Sequence, residues 1–530
     1  MSSAFARIVT GSLLFLGAVP FQSRLVCQEP EVRTLTPSDA AAPSQAERAI
    51  PANDAGIVTT RQQATINGQV LKYRAHAGHL PIIDHESGTV HAHIFFTAYT
   101  VDPGAGKPPR PLTFLWNGGP GASSSLVHLL GFGPRRVASD GTLVDNQGTW
   151  LDQTDLAFVD PVGTGYSRPT KVEHGPEFFQ TRGDAESVAE FIRLFRNRFQ
   201  AWDAPLFIGG ESFGVTRAAG VAEILERKRI PLEGVILISL DLPLGDLSLA
   251  QRAALMLPTY TAAAFANKKL GSDLQGDLPK ALQLAEAFAE SEYAPALAER
   301  DKLSEAQRQR IMNQLAKFTG LNYRQLDPKA LHVGMEQFSV LLLADRNQVV
   351  GHYDTRLVGT KVASEKQYDP TQDPSLKGII NDIGVLRYFR NELKFQSDLL
   401  YQGPFGGGYP PPVAPRGDWM SVRWAWSADD KAMFATRGST PTPVKKPNQP
   451  LRQAMIANPK LQVLMASGIH DLICSYAANA YLASKLNTEF NNRIFAHSYQ
   501  GGHAIYTDLN AQQELKRDVA KFIHHAIAEK

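Results

Sequence analysis

A chain of 530 residues exceeds the usual size of one compact domain and predicts a large core with an insertion, or two domains. Its 54 basic and 52 acidic residues leave a net charge of +2, which excludes the basic footprint of a protein that binds nucleic acid or an anionic membrane surface. Small molecules or peptides remain as partners.

In chain order the first feature is Arg7 followed by the apolar run Ile8 to Phe21. At about 1.5 Å per residue this run is too short to cross a bilayer core of about 30 Å. It reads as part of a signal peptide over residues 1–27, without a clean small-x-small cleavage site, and predicts export to the periplasm or extracellular space with no membrane span in the mature protein. A buried core helix is the alternative. Residues 28–55, rich in Pro, Ala, Ser and charge, read as a disordered linker. Of the two cysteines, Cys27 leaves with the signal segment or carries a lipid anchor, for which Arg24-Leu25-Val26 is a poor match. Cys474 then stands without an intrachain partner, as suits a bacterial envelope or secreted protein.

From Ile57 to Val101, β-rich stretches are punctuated by Asn67-Gly68 and Glu86-Ser87-Gly88, which predicts antiparallel leading strands. Short apolar runs then alternate with helical patterns: Leu112 to Trp116, Asp155 to Asp160, Pro205 to Gly209, Val235 to Ser239, Leu461 to Ser467 and Arg493 to His497. That rhythm predicts an α/β fold with a mainly parallel central sheet. Asp184 is the expected N-cap of a helix reaching Phe199, and Val215 to Lys228 is a second helix. The core falls into two parts, 56–243 and 389–530. Between them, 244–388 loses the strand rhythm and reads as a mostly helical cap insertion. Gln402 to Arg416 reads as a long loop, and Trp419, Trp424 and Trp426 after it either line a cleft or pack the loop onto the core.

The segment Gly210-Glu-Ser-Phe-Gly214 matches Gly-x-Ser-x-Gly, a pattern that chance alone would place in about one such chain in five. Context gives it weight: an apolar run precedes it and a helical pattern follows, the setting in which a serine projects from a strained turn. A serine hydroxyl needs a histidine as base and a carboxylate to fix that histidine's tautomer. In sheets carrying such a turn the chain order is serine, acid, histidine, each on a loop at the carboxyl end of a strand. Ser212, Asp471 and His503 fit that order, whereas His524 and His525 fall in a terminal helical pattern and His497 ends a strand. The developing oxyanion needs two backbone donors, one after the nucleophile and one from an early glycine-rich loop; Phe213 and Gly119 are the candidates. An ordinary glycine turn is the alternative for the latter.

Five ordered motifs carry a resemblance: Trp-Asn-Gly-Gly-Pro-Gly-Ala-Ser-Ser at 116–124, Asp-Pro-Val-Gly-Thr-Gly-Tyr-Ser at 160–167, Gly-Glu-Ser-Phe-Gly, Asp-Leu-Ile-Cys at 471–474 and Gly-Gly-His at 501–503. Together they resemble the serine carboxypeptidase family over most of the chain from about residue 57, and in particular a bacterial branch without the family's usual disulfides. The resemblance implies an α/β-hydrolase fold and release of carboxyl-terminal amino acids from peptides with a free terminal carboxylate. It also implies that Asn117, Gly118 and Glu211 bind that carboxylate, with Glu211 protonated and peptide binding favoured at acidic pH. Two positions depart from the pattern. Gly131 stands where the family has a second glutamate, fourteen residues past the asparagine, and Ala122 replaces a cysteine. Cys474 matches a family cysteine near the site and is not an independent nucleophile.

Asp471 lies 259 residues beyond Ser212, far more than the roughly 90 that three further βα units need, so the cap expectation gains support. His91 and His93 share one strand face near His85 and read as a solvated surface; no zinc spacing, phosphate loop or dinucleotide fingerprint is present, so no metal and no cofactor is expected. An esterase or acyltransferase using the same three residues is the nearest rival, since motifs barely separate such relatives. A noncatalytic envelope-binding protein is the rival from another class.

Overall fold

The computed structural model describes residues 56–239, 247–361, 372–404, 424–426 and 449–528. The signal and linker segments, Cys27 and Trp419 lie outside them. Strands β1 (Val58–Ile66) and β2 (Gln69–Ile83) are joined by Asn67-Gly68, both at positive φ (50° and 78°), which matches hairpin twist. β2 pairs antiparallel with β3 (Val90–Thr100), and β3 in turn with the strand at Asp155–Val159.

Beyond this antiparallel edge the sheet becomes parallel. Its members are β4 (Leu112–Trp116), β5 (Asp155–Val159), β6 (Leu206–Glu211), β7 (Gly234–Ile238), β8 (Gln462–Gly468) and β9 (Ile494–Tyr499). The spatial order is β1-β2-β3-β5-β4-β6-β7-β8-β9, with the two-residue strand Arg168–Pro169 pairing beside β3. β4, β6, β7 and β8 are buried at every position, as strands covered on both faces must be. Helices α1 (Thr181–Arg198) and α2 (Phe213–Arg227) pack on one face, whose apolar cluster includes Phe191, Phe195, Ile208 and Ala218. The terminal helix Leu509–Ala528 packs on the other, with Phe207, Ile236, Leu464 and Phe522 in one cluster. This is the α/β-hydrolase arrangement: parallel strands, crossover helices and a sharp turn between β6 and α2.

The expected N-cap at Asp184 is not one. The helix begins at Thr181 after an extended Gln180, and Asp184 lies inside it, buried, because its carboxylate is taken by the buried guanidinium of Arg217 on α2. Between β7 and β8 the described chain is mainly helical, including Leu257–Ala266, Leu278–Phe288 and Glu305–Thr319. A short hairpin, Gln348–Val350 with Val358–Thr360, interrupts it.

Candidate active site

Ser212 sits where β6 runs into α2. Gly210 pairs with Trp116 on β4, and a Cβ at Gly210 would come within 2.0 Å of the Gly214 carbonyl oxygen, so only glycine permits this approach. Ser212 has φ 58° and ψ −129°, a strained conformation outside the regions where residues with side chains normally rest. Its N–H is held by the Ile238 carbonyl at 3.0 Å. The serine is therefore lifted, half-buried, between the buried Glu211 and Phe213.

The glycine-rich loop after β4 is fastened to this turn from several sides. Trp116 Nε1 donates to the Gly214 carbonyl at 2.8 Å, and Arg217 Nη1 donates to the Asn117 carbonyl at 2.7 Å while its Nε contacts Asp184 Oδ2 at 2.6 Å. A Cβ on Gly118 would lie 2.5 Å from the Phe213 nitrogen and 2.7 Å from the Glu211 carbonyl oxygen. The loop backbone thus lies directly against the start of α2, bringing the Gly119 segment beside Phe213 at a helix terminus suited to developing negative charge. Behind the loop, the Ser124 N–H donates to Asp160 Oδ1 at 2.7 Å, which joins the motifs at 116–124 and 160–167 into one unit. Burial pushes the Asp160 carboxyl up to about 7 against the opposing Ser124 hydrogen bond.

The acid and the histidine follow the adjacent strand ends of β8 and β9. Asp471 is wholly buried; its Oδ1 accepts the N–H groups of Ile473 (2.8 Å) and Cys474 (3.1 Å), which leaves Oδ2 to meet His503 Nδ1 at 2.8 Å. Burial pushes the Asp471 carboxyl up and the charge of His503 opposes it. The histidine's backbone is fixed as well: its N–H donates to the Tyr353 carbonyl at 2.6 Å, its carbonyl accepts the Ser239 hydroxyl, and the Tyr353 ring stands edge-on to the imidazole at 5.1 Å. Tyr353 comes from the segment between β7 and β8, so that segment shapes the histidine loop. The Ser212 hydroxyl makes no hydrogen bond among the described residues, whereas the Asp471–His503 contact is closed.

Glu211, one residue before the serine, is buried, and its Oε2 accepts two donors: Asn117 Nδ2 at 2.7 Å and the Tyr506 hydroxyl at 2.5 Å. The Asn117 amide is oriented independently, because its Oδ1 accepts the Val127 N–H at 3.1 Å. Burial raises Glu211 to about 7; His503, Tyr506 and Asn117 oppose the rise, and Asp471 adds to it. Tyr506 escaped the sequence reading, and so did Arg217. The only trace of Tyr506 in the sequence is the space left at Gly131, where a Cβ would lie 3.4 Å from the Tyr506 ring.

The buried Cys474 offers a sulfur within 4.8 Å of the Asp471 and His503 donor atoms, but that carboxylate and ring are already spent on each other. His91 stacks on His174 (3.9 Å) and meets Glu177, while His85 meets Glu190, so these histidines have separate engagements. Trp424 is buried and packs edge-on against Phe213 at 5.4 Å, with Trp426 at 6.1 Å from the same ring.

Residues 66–238 match the family model described as serine carboxypeptidase. This interval contains Asn117, Gly118, Gly119, Glu211, Ser212 and Phe213 and ends before Asp471 and His503. Among curated proteins the chain is similar to the pheromone-processing carboxypeptidase KEX1 of Saccharomyces cerevisiae, 35% identical over 148 residues, or 26% of this chain and 20% of that one. It is also similar to KEX1 of Pyricularia oryzae, 32% identical over 160 residues, or 29% and 24% of the two chains. The matched part thus spans about a fifth to a quarter of these relatives' length. The solved structure of a prohormone-processing carboxypeptidase from Saccharomyces cerevisiae, KEX1(delta)p, aligns with a TM-score of 0.48 and 17% identity over 85% of this chain and 91% of that one.

Proposed function

We propose that this chain, whose residues 66–238 match the serine carboxypeptidase family model, is a serine-type carboxypeptidase acting on peptides with a free terminal carboxylate. The observation that carries the reading is the buried Glu211 beside Ser212, bonded to Asn117 and held near neutrality at about 7. An acyl-transfer site needs a nucleophile, a base and an oxyanion hole; a protonated carboxyl next to an amide is an additional element, suited to a carboxylate ligand.

In this mechanism Ser212 Oγ attacks the carbonyl carbon of the last peptide bond as His503 removes its proton, with Asp471 holding the ring and stabilising its cation. The amides of Gly119 and Phe213 take the oxyanion. His503 then protonates the departing amino acid, and a water, deprotonated by the same histidine, hydrolyses the acyl-enzyme. Asn117, Gly118 and Glu211 hold the terminal carboxylate. Two carboxylates would repel, so peptide-acid binding persists below about pH 7 and is lost as Glu211 ionises above it. The segment 244–388 acts as the cap that bounds the cleft, and 1–27 directs export, which amino-terminal sequencing of the exported protein tests.

The decisive comparison is a blocked dipeptide acid against its amide, across pH. The reading expects strong preference for the acid, abolished in Asn117→Ala and Glu211→Ala, and no release of the terminal amino acid by Ser212→Ala. Equal turnover of acid and amide would assign the same three residues to esterase or acyltransferase chemistry instead.

A further inference from the structure

We propose that Tyr506 is the positioning residue of the carboxylate site: its hydroxyl, with Asn117 Nδ2, occupies Oε2 of Glu211 and so leaves Oε1 as the oxygen that presents a proton to the substrate's terminal carboxylate. This rests on the carboxypeptidase reading and specifies how its carboxylate site works.

Three observations support it. First, the direction of the bonds on Oε2 is fixed from outside. Because Val127 N–H holds Asn117 Oδ1, the Asn117 nitrogen must face Glu211 and donate, so Oε2 is an acceptor. A proton on Oε2 would face that donor, whereas among the described residues Oε1 has no hydrogen-bond partner. A neutral Glu211 therefore carries its proton on Oε1.

Second, Tyr506 is itself held rigidly. It is wholly buried, its carbonyl accepts Arg136 Nη1 at 3.2 Å, and its ring meets Phe132 edge-on at 5.2 Å. The turn against which it packs, the π-helical Val127–Phe132, is braced from behind: the Gly131 carbonyl accepts Asn146 Nδ2 at 2.8 Å and Gln512 Nε2 at 2.6 Å. Third, that turn leaves room for the ring. At Gly131 a Cβ would lie 3.4 Å and 3.5 Å from Tyr506 atoms, in ordinary contact, so the ring occupies the space beside this glycine. Where the family pattern has a second carboxylate this chain has a glycine, and the Tyr506 hydroxyl supplies the second contact to Glu211.

The charged and titratable groups acting on Glu211 are His503 and Asp471, from the loops after β9 and β8, together with Tyr506, whose hydroxyl in turn feels Arg136. A second acid in this place would share and exchange a proton with Glu211. The tyrosine hydroxyl remains protonated across the working range, because burial and Glu211 raise it well above 10. The site therefore titrates as a single proton on Glu211.

The test uses the full-length protein and two substrates with the same acyl group, a blocked dipeptide acid and a p-nitrophenyl ester without a carboxylate. In Tyr506→Phe the ratio of kcat/KM for acid over ester should fall about tenfold at pH 5, through KM. The alkaline limb for the acid should move up by about one pH unit, because a donor to the ionised form is gone. In Glu211→Gln, Tyr506 and Asn117 should hold the amide oxygen and turn its NH2 toward the cleft. KM for the acid should then become flat between pH 5 and 8. An unchanged ratio and limb in Tyr506→Phe would overturn the proposal, as would loss of the acid preference at every pH in Glu211→Gln. If the carboxypeptidase reading itself is wrong, the unmodified protein will show no preference for the acid, an outcome distinct from either.

Discussion

Arg217 touches none of the atoms proposed to react, yet it ties α2 to the loop after β4 through the Asn117 carbonyl while the buried Asp184 neutralises it. Removing one member of a buried pair strands the other charge, so Arg217→Met should lower unfolding free energy by about 3–5 kcal/mol in urea titrations. Asp184→Asn combined with Arg217→Met removes the stranded charge and should recover most of that loss. Activity should not follow stability: without the guanidinium the Asn117 carbonyl has lost its clamp, and the double variant should stay at least tenfold down in kcat/KM on the peptide acid. Full recovery of turnover would reduce Arg217 to a structural role. At this scale the sequence was legible where chain order limited the choice. Ser212, Asp471 and His503 each follow a strand, so the fold left few alternatives. Arg217 and Tyr506 were not legible because each matters only through a contact across the fold, 100 residues from Asn117 in one case and 295 from Glu211 in the other.

The strands were readable because β4, β6, β7 and β8 are apolar and buried on both faces, whereas their order in space depends on crossovers that no single run encodes. The N-terminus of α1 was misread for a related reason: an acidic residue near a helix start looks the same in sequence whether it caps amides or meets an arginine on another helix. What the elements accomplish together is a fixed gap between the loop after β4 and the turn after β6. Gly118 fills that gap with backbone alone, since an added Cβ would lie 2.5 Å from the Phe213 nitrogen and 2.7 Å from the Glu211 oxygen. Neither neighbour is a flexible side-chain end, so Gly118→Ala must move the loop away from α2. The proposed oxyanion donors, Gly119 and Phe213, then separate, and kcat should fall by about a hundredfold or more on the ester and the peptide acid alike. A loss confined to the peptide acid would place Gly118 in carboxylate binding only.

At the scale of the whole molecule, the same sheet buries ionisable groups on both sides, and their titrations pull stability in opposite directions. Asp160 is raised by burial from 3.8 to about 7, so the folded chain keeps a proton that the unfolded chain has already released. Its contribution is complete below about pH 3.8 and is lost as pH rises through 7. His128 is the reverse: wholly buried and bonded to Tyr99 at 2.5 Å, it is lowered by burial from 6.5 to about 3. The unfolded chain takes up that proton first, so its contribution is complete above pH 6.5 and declines as pH falls toward 3. Replacing each by a non-titrating near-isostere isolates the two effects. Relative to the unmodified protein, Asp160→Asn should gain about 4 kcal/mol in unfolding free energy between pH 4 and pH 8, and His128→Gln should gain a comparable amount between pH 7 and pH 3. Urea midpoints measured across that range provide the check, and parallel pH profiles for either variant and the unmodified protein would show that the buried group does not titrate as its surroundings require. The opposition bears on function because Asp160 anchors the loop that carries Asn117 and Gly119, and Glu211 ionises near the same pH. Above neutrality the carboxylate site and the loop that frames it should therefore weaken together, so part of the alkaline fall in peptide turnover should vanish in Asp160→Asn while the part due to Glu211 remains.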